Sequence, residues 1–130
     1  MKKKICLIQR HCESNEILLH YEGEAQIEEQ ERKLIIIVKS EEPRYELKIH
    51  AYADAMILHH HTMHDTKLSL RKGHQTNAHI ENEMGSLTLQ IQTRQYEKRT
   101  DSVYVQYAIL DQDQVCDTFE LQIEMGGGMK

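Results

Sequence analysis

Nine histidines stand in a chain of 130 residues, and His59, His60, His61 and His64 lie close together in it. On an extended strand His59 and His61 share one face while His60 takes the other, because side chains alternate with a period of two. Two imidazoles at that spacing can chelate one ion. His50, on a neighbouring strand, would supply a third nitrogen. The set His50, His59 and His61 is therefore a candidate site for a divalent metal, provided that further groups fix each ring's tautomer. The plainer expectation is that these are partly exposed sheet residues with no ion. A second chemistry follows if His59 and His61 face the inside of a barrel. Beside Tyr45 or Tyr107 they would give the lumen convergent polar groups suited to a small apolar or amphipathic ligand. Against this stands a barrel filled by its own side chains. Clustered imidazoles also repel one another once protonated, so stability is expected to fall below about pH 6.5.

Other chemistries have less behind them. Ser69, Ser86 and Ser102 lack the Gly-x-Ser-x-Gly setting of a nucleophile elbow. Cys6, Cys12 and Cys116 are odd in number and show neither metal spacing nor a Cys-x-x-Cys pair. Reduced thiols in a cytoplasmic protein are expected. The acid pairs Glu28-Glu29 and Glu41-Glu42 fall at expected turns, where solvation explains them. Phosphate-loop and dinucleotide fingerprints are absent. No residue set in the sequence specifies a reaction, and the reading leans away from an enzyme. The net charge of −5 is dominated by Glu22, Glu24, Glu28, Glu29 and Glu31, with Lys2, Lys3 and Lys4 as the one dense basic run. Phosphate binding needs clustered cations, so nucleic acid is disfavoured as a partner. The apolar run from Ile5 to Ile8 is too short for the core of a signal peptide. No stretch approaches a membrane span, and no membrane partner is expected.

The elements that must position these residues are strands. With 39% hydrophobic residues, one Phe and no Trp, the core has to come from Ile, Leu, Val, Met, Tyr and Ala. Leu87 to Ile91 alternates strictly, so every second side chain points to a buried face. Val103, Val105, Tyr107 and Ile109 repeat the pattern, as do Phe119, Leu121, Ile123 and Met125, giving an antiparallel meander. Upstream, Ile5 and Leu7 share a face on a first strand. Tyr21, Gly23, Ala25 and Ile27 share one on a second, where composition alone would also allow a helix. Gly23 in mid-strand marks a bulge, a bend or a close backbone approach. Ile35-Ile36-Ile37-Val38 is β-branched throughout and favours a strand covered on both faces. Leu47, Ile49, Ala51 and Ala53 align, Met56 to Thr62 continues as strand, and Leu68 pairs with Leu70 before Lys72-Gly73. Residues 74 to 84 fit a short strand, a helical turn or a loop. Asp111 to Gln114 reads as a solvated loop.

Turns recurring every eight to twelve residues or so point to an all-β sandwich or barrel. Closure removes exposed edges, which favours the barrel. The order of motifs also resembles a bacterial family of small proteins of unknown function, the YwiB-like group, over about Gly23 to Met125. The resemblance is carried by Leu34 to Val38 followed by Glu41-Glu42, by Leu68, Leu70 and Gly73, by Met84-Gly85-x-Leu87-x-Leu89, and by Gln106-Tyr107-Ala108-Ile109. Met84 replaces the aromatic usual before Gly85, and His59-His60-His61 stands where the family often has Arg. The resemblance implies a lipocalin-like (calycin) barrel and supplies no catalytic residues.

The expectation is thus an all-β, antiparallel, mostly up-and-down lipocalin-like (calycin) barrel of about eight to ten strands. One domain over 1–125 would precede a flexible Gly-rich tail, 126–130. The main functional expectation is a non-catalytic barrel that binds a small molecule through Tyr45, His59, His61 and Tyr107. A filled barrel acting on a protein partner through its surface is the alternative, and the histidine metal site is the third. No organic cofactor is expected.

Overall fold

Alternating apolar residues commit this chain to strands whose inward faces have nowhere to go but towards one another. In the computed structural model, which describes residues 2–41, 44–62 and 64–126 (without the side chains of Arg44 and Tyr45), they close into a barrel. Ten strands follow in chain order: β1 (Lys2–His11), β2 (Ile17–Glu29), β3 (Leu34–Glu41), β4 (Arg44–Ala51) and β5 (Ala55–His61), then β6 (Asp65–Arg71), β7 (Gln75–Asn82), β8 (Gly85–Lys98), β9 (Ser102–Asp111) and β10 (Gln114–Met125). Each pairs antiparallel with its sequence neighbour, and β10 pairs with β1 to close the ring. The up-and-down order is the one expected from strands joined by short polar turns.

The inward faces are those that the alternation gives. Leu7, Ile27, Ile36, Ile49, Met56, Leu70, Ile91 and Ile123 are each at most 1% exposed. They come from eight different strands, so the core is one cluster drawn from all round the ring. Ile35 is also buried although its neighbour Ile36 points inward, which agrees with a β3 covered on both faces.

Three local expectations change. The undecided segment is strand β7, with Ala78 buried and Ile80 beside it on the inward face. The expected loop after Asp111 is a tight hairpin: Asp111 pairs with Gln114, and Gln112 and Asp113 take φ of 52° and 67°. Positive φ at both central positions is the geometry whose twist matches two antiparallel strands. Ala53 does not continue β4; it is exposed in the turn that follows Ala51. Of the expected tail, residues 127–130 lie outside the described residues. Gly126 is held, since its N–H donates to the Lys4 carbonyl at 2.9 Å.

The two ends differ. At the end holding the β2–β3, β4–β5, β6–β7 and β8–β9 turns, Ile27, Leu34, Ala51, Met56, Leu70 and Val103 are buried and Thr76 is half-buried. Tyr96 crosses that end from β8. Its hydroxyl reaches the carbonyls of Tyr52 at 2.6 Å and Ala55 at 2.8 Å, both in the β4–β5 connection. Burial, then the nearby Asp54 charge, pushes the phenol well above its ordinary pKa, so it stays a donor. At the opposite end the inward residues Gln9, Tyr21, His60, Thr66, Leu89 and Phe119 are only half-buried. The inward face is therefore more exposed to solvent at this end than at the other.

Candidate functional site

The open end is built by register. His11 on β1 is opposite Phe119 on β10, and Phe119 is opposite Tyr107 on β9. The rings follow: His11 meets Phe119 edge-on at 5.1 Å, and Phe119 lies tilted against Tyr107 at 5.7 Å. Gln9, one inward position below His11, donates from Nε2 to the Tyr107 hydroxyl at 2.5 Å. Burial pushes the Tyr107 phenol up to about 12 against the opposing pull of Gln9, so it is neutral near pH 7. This wall presents an apolar ring face with polar groups above and below it.

The rim above that wall is locked. His11 Nε2 donates to Asp117 Oδ1 at 2.8 Å, which leaves Nδ1 as the acceptor for Ser14 N–H at 3.2 Å and Ser14 Oγ at 3.1 Å. A serine, a histidine and an aspartate in line suggest a hydrolytic triad, and sequence spacing gave no hint of it. The geometry argues otherwise. The Ser14 hydroxyl also accepts from Glu16 N–H at 3.2 Å, and the Ser14 backbone competes for the same imidazole nitrogen. Asn15 at φ 61° completes a tight turn. The trio holds the β1–β2 connection against β10.

The facing wall comes from β5 and β6. Around the ring β5 stands five strands from β10 in either direction, so it is diametrically opposite. Here His60 is the inward histidine, in register with Leu47 on β4 and Thr66 on β6. Burial, with the His59 charge added, lowers its pKa and favours neutral imidazole.

The expected lumenal pair is thereby corrected. His59 and His61 do share a face, but it is the outer, exposed one. The reason is parity: Met56 and Leu58 fill the core, so their next in-phase residue is His60. Both outer rings turn to Asp65, with His59 Nε2 at 2.5 Å and His61 Nδ1 at 3.3 Å from the same Oδ1. These hydrogen bonds hold the Asp65 carboxyl below the usual carboxylate range. Tyr107 does line the interior. The Tyr45 side chain lies outside the described residues.

The metal trio does not converge either. His50 is opposite Ile35 and Ile57, while His59 is flanked in register by Lys48 and Lys67. Two ammonium groups beside a would-be ligand disfavour a divalent ion. Burial, then Lys33 and Lys48, lowers the pKa of His50.

One side of the mouth continues as a slit. β2 pairs with β3 only over Gln26–Glu29 against Leu34–Ile37, although both strands run on. A cleft of about 660 Å³ opens there, lined by Tyr21, Glu24, Gln26, Ile37 and Lys39 among others. The Tyr21 ring folds back along its own strand, and its hydroxyl donates to the Glu24 carbonyl at 2.5 Å. Around the mouth Ile17, Leu18, Met84, Leu87 and Val115 are exposed, and each lies at the start of a strand or in a turn of that end.

Strand order, closure and the single open end define the class: a closed, ten-stranded, up-and-down antiparallel barrel. Among solved structures the chain is similar to the crystal structure of the ywiB protein from Bacillus subtilis. The TM-score is 0.61, covering 96% of this chain and 90% of that one. Identity is 10%, so the likeness is one of fold. No family model matches the chain, and no curated protein does. Among the described residues no helix is long and apolar enough to cross a membrane.

Proposed function

We propose that the protein is a non-catalytic binding barrel of the lipocalin-like (calycin) kind, related to the YwiB-like bacterial family and working in the cytoplasm. Its ligand is a small amphipathic molecule that enters by the open end. The observation that carries this reading is the gradient of burial along one continuous inward face, from sealed at Tyr96 to half-exposed at Gln9, His60, Thr66 and Phe119. A ligand stacked on Phe119 would keep its apolar body on the ring row. Its polar group would meet Gln9, Thr66 or neutral His60. The apolar rim at Ile17, Leu18, Leu87 and Val115 suits the entry of such a molecule. Free thiols at Cys6, Cys12 and Cys116 are in keeping with a reducing compartment.

Native mass spectrometry of freshly purified, untagged protein tests the reading. The expected result is a stoichiometric adduct that is absent from a Leu89→Trp variant, in which an indole fills the mouth. A clean apo mass, together with amide NMR shifts at Gln9, His60 and Phe119 that no amphipathic probe perturbs, would remove it. The rim also supports a second reading, a protein partner seated over the mouth, because Met84 is 96% exposed in the β7–β8 turn. In that case Met84→Ser and Leu87→Ser abolish capture of the partner while leaving small-probe binding intact.

A further inference from the structure

The outer wall where β1 meets β2 carries a donor set that the mouth does not use. Cys6 and Glu22 are direct register partners, and His20 is the neighbouring outward residue of β2. Ligand atoms of Cys6, His20 and Glu22, one from each, all lie within 4.8 Å of one another. Among the described residues, this is the trio of possible ligands that converges in this way. His20 Nε2 already stands 3.7 Å from Glu22 Oε2. Across β1's other edge, Glu124 on β10 is the second register partner of Cys6. The thiol thus lies between two carboxylates. Burial, then Glu22 and Glu124, pushes its pKa up, and a field that opposes a bare thiolate attracts a cation. Three hydrogen-bonded strands hold these residues, so the backbone does not have to be ordered for an ion to bind.

We propose that Cys6, His20 and Glu22 form a binding site for a borderline-soft divalent cation of the zinc class, on the outer wall and separate from the mouth. Sulfur, nitrogen and carboxylate oxygen are the donors that zinc accepts, whereas calcium and magnesium take oxygen alone. Three protein ligands leave a fourth position for water. Bonds of about 2.0–2.3 Å require the donors to draw together. His20 and Glu22 are exposed and can make that adjustment by changing rotamer. On binding, the Cys6 S–H bond breaks, its proton passes to solvent and a sulfur–metal bond forms, so affinity rises with pH.

Titration of the full-length protein with cobalt(II) and then zinc(II), in a non-chelating buffer near pH 7.5, provides the test. The expected result is one cobalt equivalent with a thiolate-to-cobalt charge-transfer band in the near ultraviolet, bleached by one equivalent of zinc. Cys6→Ser removes the band. His20→Asn weakens zinc binding by more than the roughly 10–100-fold lost with an outer hydrogen-bond partner. Cys12→Ser and Cys116→Ser keep both signals. Because His20 is exposed, its variant should fold, and unchanged melting of that variant separates ligation from misfolding. No charge-transfer band at one equivalent would overturn the assignment. So would a band that survives Cys6→Ser, or zinc binding that His59→Asn abolishes and His20→Asn leaves intact.

Discussion

A side chain's role in this barrel turns on one unit of register, and His60 carries the consequence. It faces inward because Met56 and Leu58 do, while its neighbours His59 and His61 face water and share Asp65. The acid sensitivity expected of the histidine cluster is therefore located differently. The outer pair His59 and His61 shares the Asp65 carboxylate, whereas His60 stands on the inward face. His60 has a folded pKa below its ordinary 6.5. The unfolded chain then binds the proton more readily than the native one, so the stability His60 contributes is full above pH 6.5 and is lost as pH falls through the folded value. Melting temperature should decline from pH 7 to pH 5, and the decline should be smaller in His60→Gln. Parallel curves for the two proteins would show that the acid sensitivity resides elsewhere. His50, lowered for a similar reason, is the residue to replace next. The sequence could say that His59 and His61 oppose His60. It could not say which side was inside, because imidazole is at home on either.

At the scale of the element, β2 shows how a composition that also suits a helix becomes a strand. Ala25 and Ile27 are in phase with Tyr21 and Gly23, and pairing with β1 fixes them there. Of the bulge, bend or close backbone approach expected at Gly23, none is what its missing side chain serves: the atoms crowding it belong to the Tyr21 side chain of the same strand. A Cβ at this residue would meet the Tyr21 hydroxyl at 2.9 Å. Gly23→Ala should thus push Tyr21 off the Glu24 carbonyl and destabilise the fold by about 1 kcal/mol, the usual worth of one hydrogen bond. In a Tyr21→Ala background the same change should be nearly neutral. Equal effects in both backgrounds, measured by urea denaturation, would mean that Tyr21 is not what Gly23 accommodates. Strand β7 was hard to read for a different reason. Its inward face is Thr76, Ala78 and Ile80, and small or polar residues there weaken the alternation. The hairpin at Gln112-Asp113 was hidden because it has no glycine at its positive-φ positions.

For the molecule as a whole, sealing and opening are separable. Tyr96 ties β8 to the β4–β5 connection, strands that are not neighbours in the ring. Removing that hydroxyl takes a donor from the Tyr52 carbonyl, while the Ala55 carbonyl keeps the Tyr52 N–H. Tyr96→Phe is expected to cost about 0.5–1.5 kcal/mol. It should also hasten hydrogen exchange at that end while leaving the amides of Gln9 and Phe119 unchanged. An unaltered denaturation midpoint would mean that packing of the ring, not its hydroxyl, seals the barrel. The slit between β2 and β3 is likewise a property of the closed ring, since each strand alone reads as an ordinary partner for the other.

Alternation by itself determined most of the strands and their inward faces, because burying every second residue is a local demand that only a sheet meets, and the short polar turns between strands gave the up-and-down order. The buried set at Leu7, Ile36, Ile49, Ile91 and Ile123 could be read on that ground alone. Ring closure decided the rest. It set β5 opposite β10 and left the inward residues of one end half-buried, while the β1–β2 register brought Cys6 beside His20 and Glu22. Closure pairs residues distant in sequence, and a one-residue shift of a strand would turn its inward side chains outward.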